Sequence, residues 1–163
     1  MKTSIFVKRS VIIAIALAAL VMPTFALSST GTLSLSGSVA AVTTITVTPD
    51  ANASALPVGV ATTNLQIATV VELSNSKAGY TVTLSSANGA TLKETSGTDS
   101  QAYTLTYGSN PVTFTGSTAT LTTSTTRSAT AAGSSNILYI SFPAAFLNAD
   151  SYTDSLTFTI TSP

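Results

Sequence analysis

Apolar and hydroxyl side chains alternate along most of this chain, and a period of two residues is the pattern of a strand with one face buried. Thr43-Thr44-Ile45-Thr46-Val47-Thr48 is one such run, closed by Pro49-Asp50. Leu65, Ile67, Val71 and Leu73 are expected on one face of a longer strand. Tyr80, Val82 and Leu84 alternate with Thr81, Thr83 and Ser85 up to Asn88-Gly89, a tight-turn signal. Tyr103, Leu105 and Tyr107 repeat the pattern before the turn Gly108-Ser109-Asn110-Pro111. Val112 with Phe114 and Ala119 with Leu121 suggest short strands. Leu138, Ile140 and Phe142 predict another strand, and Leu156, Phe158 and Ile160 the last one.

Threonine suits the outer face of a sheet, because its branched Cβ fits the pleat and its hydroxyl meets water or a cross-strand neighbour. No segment after the first 26 residues sustains a helical period. The best candidate, Pro143 to Leu147, is one or two turns, and the Ser/Thr/Ala/Gly-rich stretch 122–135 reads as a mobile loop. Short strands recurring roughly every 8–12 residues with Gly, Asn and Pro between them predict an all-β antiparallel sandwich.

Composition removes most chemistry. The 163 residues include no Cys and no His, so there is no disulfide, no thiol nucleophile, no imidazole base and no haem or zinc ligand set. Charged residues are 7%, against about 25% in ordinary soluble domains, while the 24 Ser and 31 Thr make up about a third of the chain. Six basic residues do not make a phosphate-binding footprint, so no nucleic-acid partner is expected. No cofactor and no metal is expected, and no catalytic residue is assigned.

Residues 1–26 read as a secretory signal peptide. Lys2, Lys8 and Arg9 precede an apolar run from Val11 to Met22, Pro23 breaks it, and Thr24-Phe25-Ala26 offers small residues for cleavage. A retained anchor is the alternative, but twelve apolar residues fall short of the about 18 needed to span a bilayer. The remaining 137 residues carry Lys77, Lys93 and Arg127 against Asp50, Glu72, Glu94, Asp99, Asp150 and Asp154, a net charge of −3. One domain of that length buries about two-thirds of its unfolded surface without a covalent staple.

The stretch after the leader is the informative one. In Gly31-Thr32-Leu33-Ser34-Leu35-Ser36-Gly37-Ser38-Val39, Leu33, Leu35, Gly37 and Val39 share one face and the hydroxyls the other. A chain terminus usually frays, so a strand pattern there asks for a partner. Glycine inside a strand marks close approach of other atoms. The stretch resembles the amino-terminal extension of fimbrial subunits of the bacterial chaperone–usher pathway. The rest, Val42 to Pro163, is similar to the body of those pilins in the run Ser74 to Gly89 and in the closing Tyr152 to Ile160. Unlike many of them it has no Cys pair and ends Ile160-Thr161-Ser162-Pro163 rather than at a penultimate aromatic, which points to a cysteine-free branch.

That resemblance implies three parts: leader 1–26, donor-strand extension 27–41 and body 42–163. The body would be an immunoglobulin-like sandwich lacking its final strand. Leu33, Leu35 and Val39 would be inward anchors with Gly37 at the small position, filling a groove edged by Leu156, Phe158 and Ile160 of another copy. It also implies a periplasmic chaperone, an outer-membrane usher, and export to the cell surface as a head-to-tail polymer for adhesion or biofilm formation. Two other classes remain: a self-complete secreted module binding surface glycans through its tyrosines, and a coat or matrix protein of the spore-coat-U type.

Other motifs are weaker. Ser74-Asn75-Ser76-Lys77 matches the S-x-x-K nucleophile motif but sits in a polar turn without its companions. Asp150 and Asp154 flank Tyr152, where turn capping by Asn148 and Asp150 is the reading preferred to an acid–base or calcium pair, and Glu94 with Asp99 reads as a solvated hairpin end. Tyr80, Tyr103, Tyr107, Tyr139 and Tyr152 read as core residues at strand spacing.

Overall fold

The structure, a computed structural model, describes residues 28–163; the leader expected over 1–26 lies outside them. The chain divides into two units between Gly37 and Ser38. Residues 28–42 form no helix or strand in the single chain, and Leu33, Leu35 and Val39 are 81%, 86% and 90% exposed.

From Thr43 onward the fold is all-β, as the alternation predicts. The strands are β1 (Thr43–Pro49), β2 (Thr62–Ser74), β3 (Tyr80–Ser86) and β4 (Thr91–Glu94). They continue with β5 (Ser100–Ala102), β6 (Thr104–Tyr107), β7 (Asn110–Val112) and β8 (Thr118–Ser124). The last three are β9 (Ser134–Phe142), β10 (Tyr152–Thr153) and β11 (Leu156–Thr161). All pairing is antiparallel, in sheets ordered β1-β2-β9-β6-β7, β11-β3-β8 and β10-β4-β5. The two larger sheets enclose a core of Val70, Leu84, Leu105, Leu138 and Ile140, all but fully buried, with Tyr103, Tyr107 and Phe142 around them. This is a β-sandwich in the general sense, with β10-β4-β5 a small third sheet.

Strand β2 departs from the expected face. Its pairing with β9 shifts between Thr62 and Leu65 and again between Gln66 and Ala68, with Asn64 at a φ of 49°. A bulge adds a residue to one strand and reverses which side chains point inward beyond it. Ile67 and its neighbour Ala68 are therefore both buried, and thereafter Val70, Glu72 and Ser74 face the core while Val71 and Leu73 are half-exposed.

Two other expectations change. Pro143 to Leu147 is not helical, and the one short 3₁₀ turn among the described residues is Ala51–Ser54, capped by Asp50, whose Oδ1 accepts from the Asn52 N–H at 3.0 Å. The stretch 122–135 is strand at both ends, and its middle is tied down. Ser128 is buried, donating its N–H to the Ser74 carbonyl (2.8 Å) and accepting the Ser74 N–H on its Oγ (2.9 Å). Hydroxyl side chains that satisfy backbone groups let a polar loop pack. At the β2–β3 turn Gly79, with φ 91°, backs onto the Ser124 carbonyl, leaving no room for a Cβ.

Candidate functional site

The two sides of the sandwich end differently. On one side β7 is three residues long, carries Pro111, and connects through residues 113–117 to β8 beside it. A short strand with proline is a protected edge, since proline cannot donate to a further strand. On the other side β1 and β11, the outer strands of the two larger sheets, lie next to each other. Each is hydrogen-bonded to a sheet neighbour on one flank only among the described residues, β1 to β2 and β11 to β3.

At one end these strands meet: Thr43 Oγ1 lies 2.9 Å from Ser162 Oγ and 3.2 Å from Ser74 Oγ. Further along lies an apolar cleft of about 390 Å³. Its walls are Val47 and Pro49 of β1, Leu56 beyond the 3₁₀ turn, and Leu156 and Phe158 of β11. Ile67, Ala68, Leu138 and Ile140 form the floor, with Leu92, Tyr103 and Tyr152 to Asp154 also lining it. Leu156 and Phe158 are half-buried, and Val47 is 39% exposed. Apolar side chains are thus left half-covered along two edges, each of which has an unpaired flank among the described residues.

Sequence reasoning named Leu156, Phe158 and Ile160 as one edge of a groove. The first two line the cleft; Ile160, on the same face of β11, is half-buried but not among the lining residues. The opposite wall was not anticipated, although Val47 and Pro49 sit in the run that ends β1. Ile45 and Val47 share a face of β1 but differ in burial, a difference that only the course of β1 reveals.

Polar residues brace the cleft. Asp154 accepts from the Tyr103 hydroxyl (2.5 Å) and Ser86 Oγ (2.6 Å) on Oδ2, and from the N–H groups of Asn88 (2.9 Å) and Ser155 (2.7 Å) on Oδ1. Four donors on one carboxylate fix the turn that launches β11. Burial, and then the bond to Asp154, pushes the Tyr103 phenol well above its ordinary value. Another carboxylate, Glu72, is buried; it accepts from the Tyr107 hydroxyl (2.5 Å) and Thr122 Oγ1 (2.9 Å), while its Oε2 has no partner. Burial first and Glu72 second raise the Tyr107 phenol in the same way. Tyr80, Tyr103 and Tyr107 are buried, as their spacing predicts; Tyr139 and Tyr152 are half-exposed.

Ser74 and Lys77 are not on one helical face: Ser74 ends β2, its Oγ accepts from the Ser76 N–H (3.2 Å), and Lys77 is exposed on the turn. Glu94 Oε2 accepts from the Asp99 N–H (2.8 Å), and Asp150 Oδ2 accepts from the Ser96 N–H (2.9 Å). The Ser151 and Ser96 N–H groups hold the Asp150 carboxyl below its usual range. Among the described residues no three His, Cys, Asp or Glu side chains are grouped to hold a metal, and no helix is long and apolar enough to cross a membrane.

No protein-family model matches the chain, and no curated protein matches it.

Proposed function

We propose that the chain is a structural subunit that polymerises by strand donation, a pilin of a bacterial surface fimbria. On this reading the body is an immunoglobulin-like sandwich lacking one strand, and the missing strand is Gly31–Val39 of a neighbouring copy. One observation carries it: a single chain holds an apolar cleft between two unpaired strand edges and, elsewhere, an unpaired segment whose alternate apolar side chains are more than four-fifths exposed. Each feature is costly alone and each satisfies the other. Leu33, Leu35 and Val39 would enter the cleft, with Gly37 where the walls come closest, while the backbone pairs with β1 and β11, a form of β-augmentation.

Burying three such side chains contributes roughly 1.5–3 kcal/mol each before the ordering cost, and ladder hydrogen bonds add to that. Donor and acceptor surfaces differ, so the contact is head-to-tail and grows a filament rather than closing a dimer. The same reading implies export to the cell surface, a role in adhesion or biofilm formation, and a chaperone and usher that cover the cleft before assembly.

The test is the mature protein recovered from its native surface, run on denaturing gels with and without boiling beside a version lacking residues 27–41. A heat-sensitive ladder that vanishes with the truncation is the expected result. A cooperatively folding monomer that never ladders would mean the extension completes its own sandwich, and the self-complete binding module would replace the fimbrial reading.

A further inference from the structure

The two ends of the sandwich carry opposite charge. Where β2 ends and β3 begins, Lys77 and Arg127 are both exposed. The chain enters the body at this end: Asn75 accepts the Val42 N–H on Oδ1 (2.8 Å) and donates from Nδ2 to the Ala40 carbonyl (2.7 Å). At the other end Glu94, Asp99 and Asp150 gather around Tyr152, and Lys93 on β4 is the cation near them. Asp99 Oδ2 accepts the Asn148 N–H (2.9 Å), which ties the acidic hairpin to the loop between β9 and β10. That loop also carries Phe146, fully exposed, and its Ala145 N–H bonds the Gly59 carbonyl (3.0 Å) next to Val60, which is 61% exposed.

We infer that successive bodies of the polymer dock pole to pole, the Lys77 and Arg127 end of one copy seating on the Asp99, Asp150 and Phe146 end of the next. The inference rests on the strand-donation reading and adds a second contact to it. The cleft is closed where Thr43 meets Ser162 and is lined at its other end by Leu56, Tyr152 and Leu156. On this inference the donor's tether leaves past Tyr152, at the end of the cleft away from that contact. Residues 40–42 separate Val39 from β1, a reach of about 10 Å at full extension. Ala40 is itself held against Asn75, so the donor's basic end is drawn onto the acceptor's acidic end. Opposite charges then meet within a Debye length, about 8 Å at physiological ionic strength, where attraction is not screened away. The exposed Phe146 and Val60 supply an apolar centre, the usual anatomy of a specific contact.

The chain has no cysteine, so the contact can be read by cross-linking. Exposed Ala78 lies beside Lys77 and exposed Ala149 beside Asp150. Full-length chain carrying Ala78→Cys with Ala149→Cys, assembled in its own cells and treated with a flexible bismaleimide, is expected to give a multimer ladder that survives boiling. Each single variant should not. Adding Lys77→Glu and Arg127→Glu should cut the cross-linked yield several-fold while leaving the heat-sensitive ladder of unlinked samples intact. A normal heat-sensitive ladder with no boiling-resistant product from the double variant overturns pole docking and leaves strand donation standing. Absence of the heat-sensitive ladder itself overturns both.

Discussion

Thr43 Oγ1 and Ser162 Oγ, 119 positions apart in the chain, lie 2.9 Å from each other. One residue opens β1 and the other follows β11, so this contact joins the outer strands of the two larger sheets at one end. Beyond it the two edges flank the cleft with Val47 and Pro49 on one side and Leu156 and Phe158 on the other.

Gly37 tests the donor. Among the described residues, none beyond its chain neighbours lies within 4 Å of a Cβ built on it, so Gly37→Arg leaves the body's own packing untouched. The variant is expected to stay soluble and folded, with the melting temperature of the unassembled body, yet form no heat-sensitive multimers. Normal filaments from it would remove Gly37 from the mechanism.

Phe158 tests the acceptor. A peptide of the Gly31–Val39 sequence, added to body lacking residues 27–41, should raise its melting temperature, by the equivalent of about 2.7 kcal/mol at a hundredfold excess over Kd. Phe158→Ala should weaken that binding at least tenfold, because the side chain lines the cleft. Calorimetric titration reads both; equal affinity for the two bodies would place the peptide elsewhere.

Tyr107 tests the buried carboxylate. Its hydroxyl is one of two donors to Glu72, which is 1% exposed and already has one oxygen unpaired. Removing a hydrogen bond to a buried charged group costs about 1.5–3 kcal/mol. Tyr107→Phe should lower urea stability by that amount with an unchanged slope, whereas Tyr139→Phe, whose hydroxyl does not bond Glu72, should change it little.

Alkaline pH tests both buried phenols. Tyr103 and Tyr107 are raised above the ordinary value of 10.0, by burial first and by Asp154 and Glu72 second. Above pH 10 the unfolded chain loses these protons while the folded chain keeps them, so the unfolded state binds fewer protons and stability falls as pH rises. Their contribution is complete below pH 10 and is lost progressively above it. Denaturation midpoints at pH 9, 10, 11 and 12 should decline more steeply for the native protein than for Tyr103→Phe with Tyr107→Phe.

The strands were readable because their periodicity is a local property. Runs such as Tyr80 to Ser85 and Leu156 to Ile160 place one set of side chains inward whatever they pair with, and β3 and β11 lie where those runs predict. The face of β2 was not readable past Gln66. A bulge is set by pairing with β9, and pairing with a strand some seventy residues away leaves no local mark. For the same reason the buried roles of Glu72 and Ser128 were hidden. Both are polar, and only the donors around Glu72 and the Ser74 backbone beside Ser128 make their burial tolerable.

Of the candidate site, the Leu156 and Phe158 wall and the alternation over Gly31–Val39 were visible in the sequence. The opposite wall and the closed end were not. What the sequence alone determined is an all-β chain free of cysteine and histidine, with an apolar alternating segment ahead of its body. Strand patterning, turn residues and composition each act within a few positions, so they survive without tertiary context. Only the tertiary structure decided which edges remain unpaired. That β7 lies beside β8 while β1 and β11 flank a cleft follows from the order of strands in the sheets, a long-range property that no local pattern encodes.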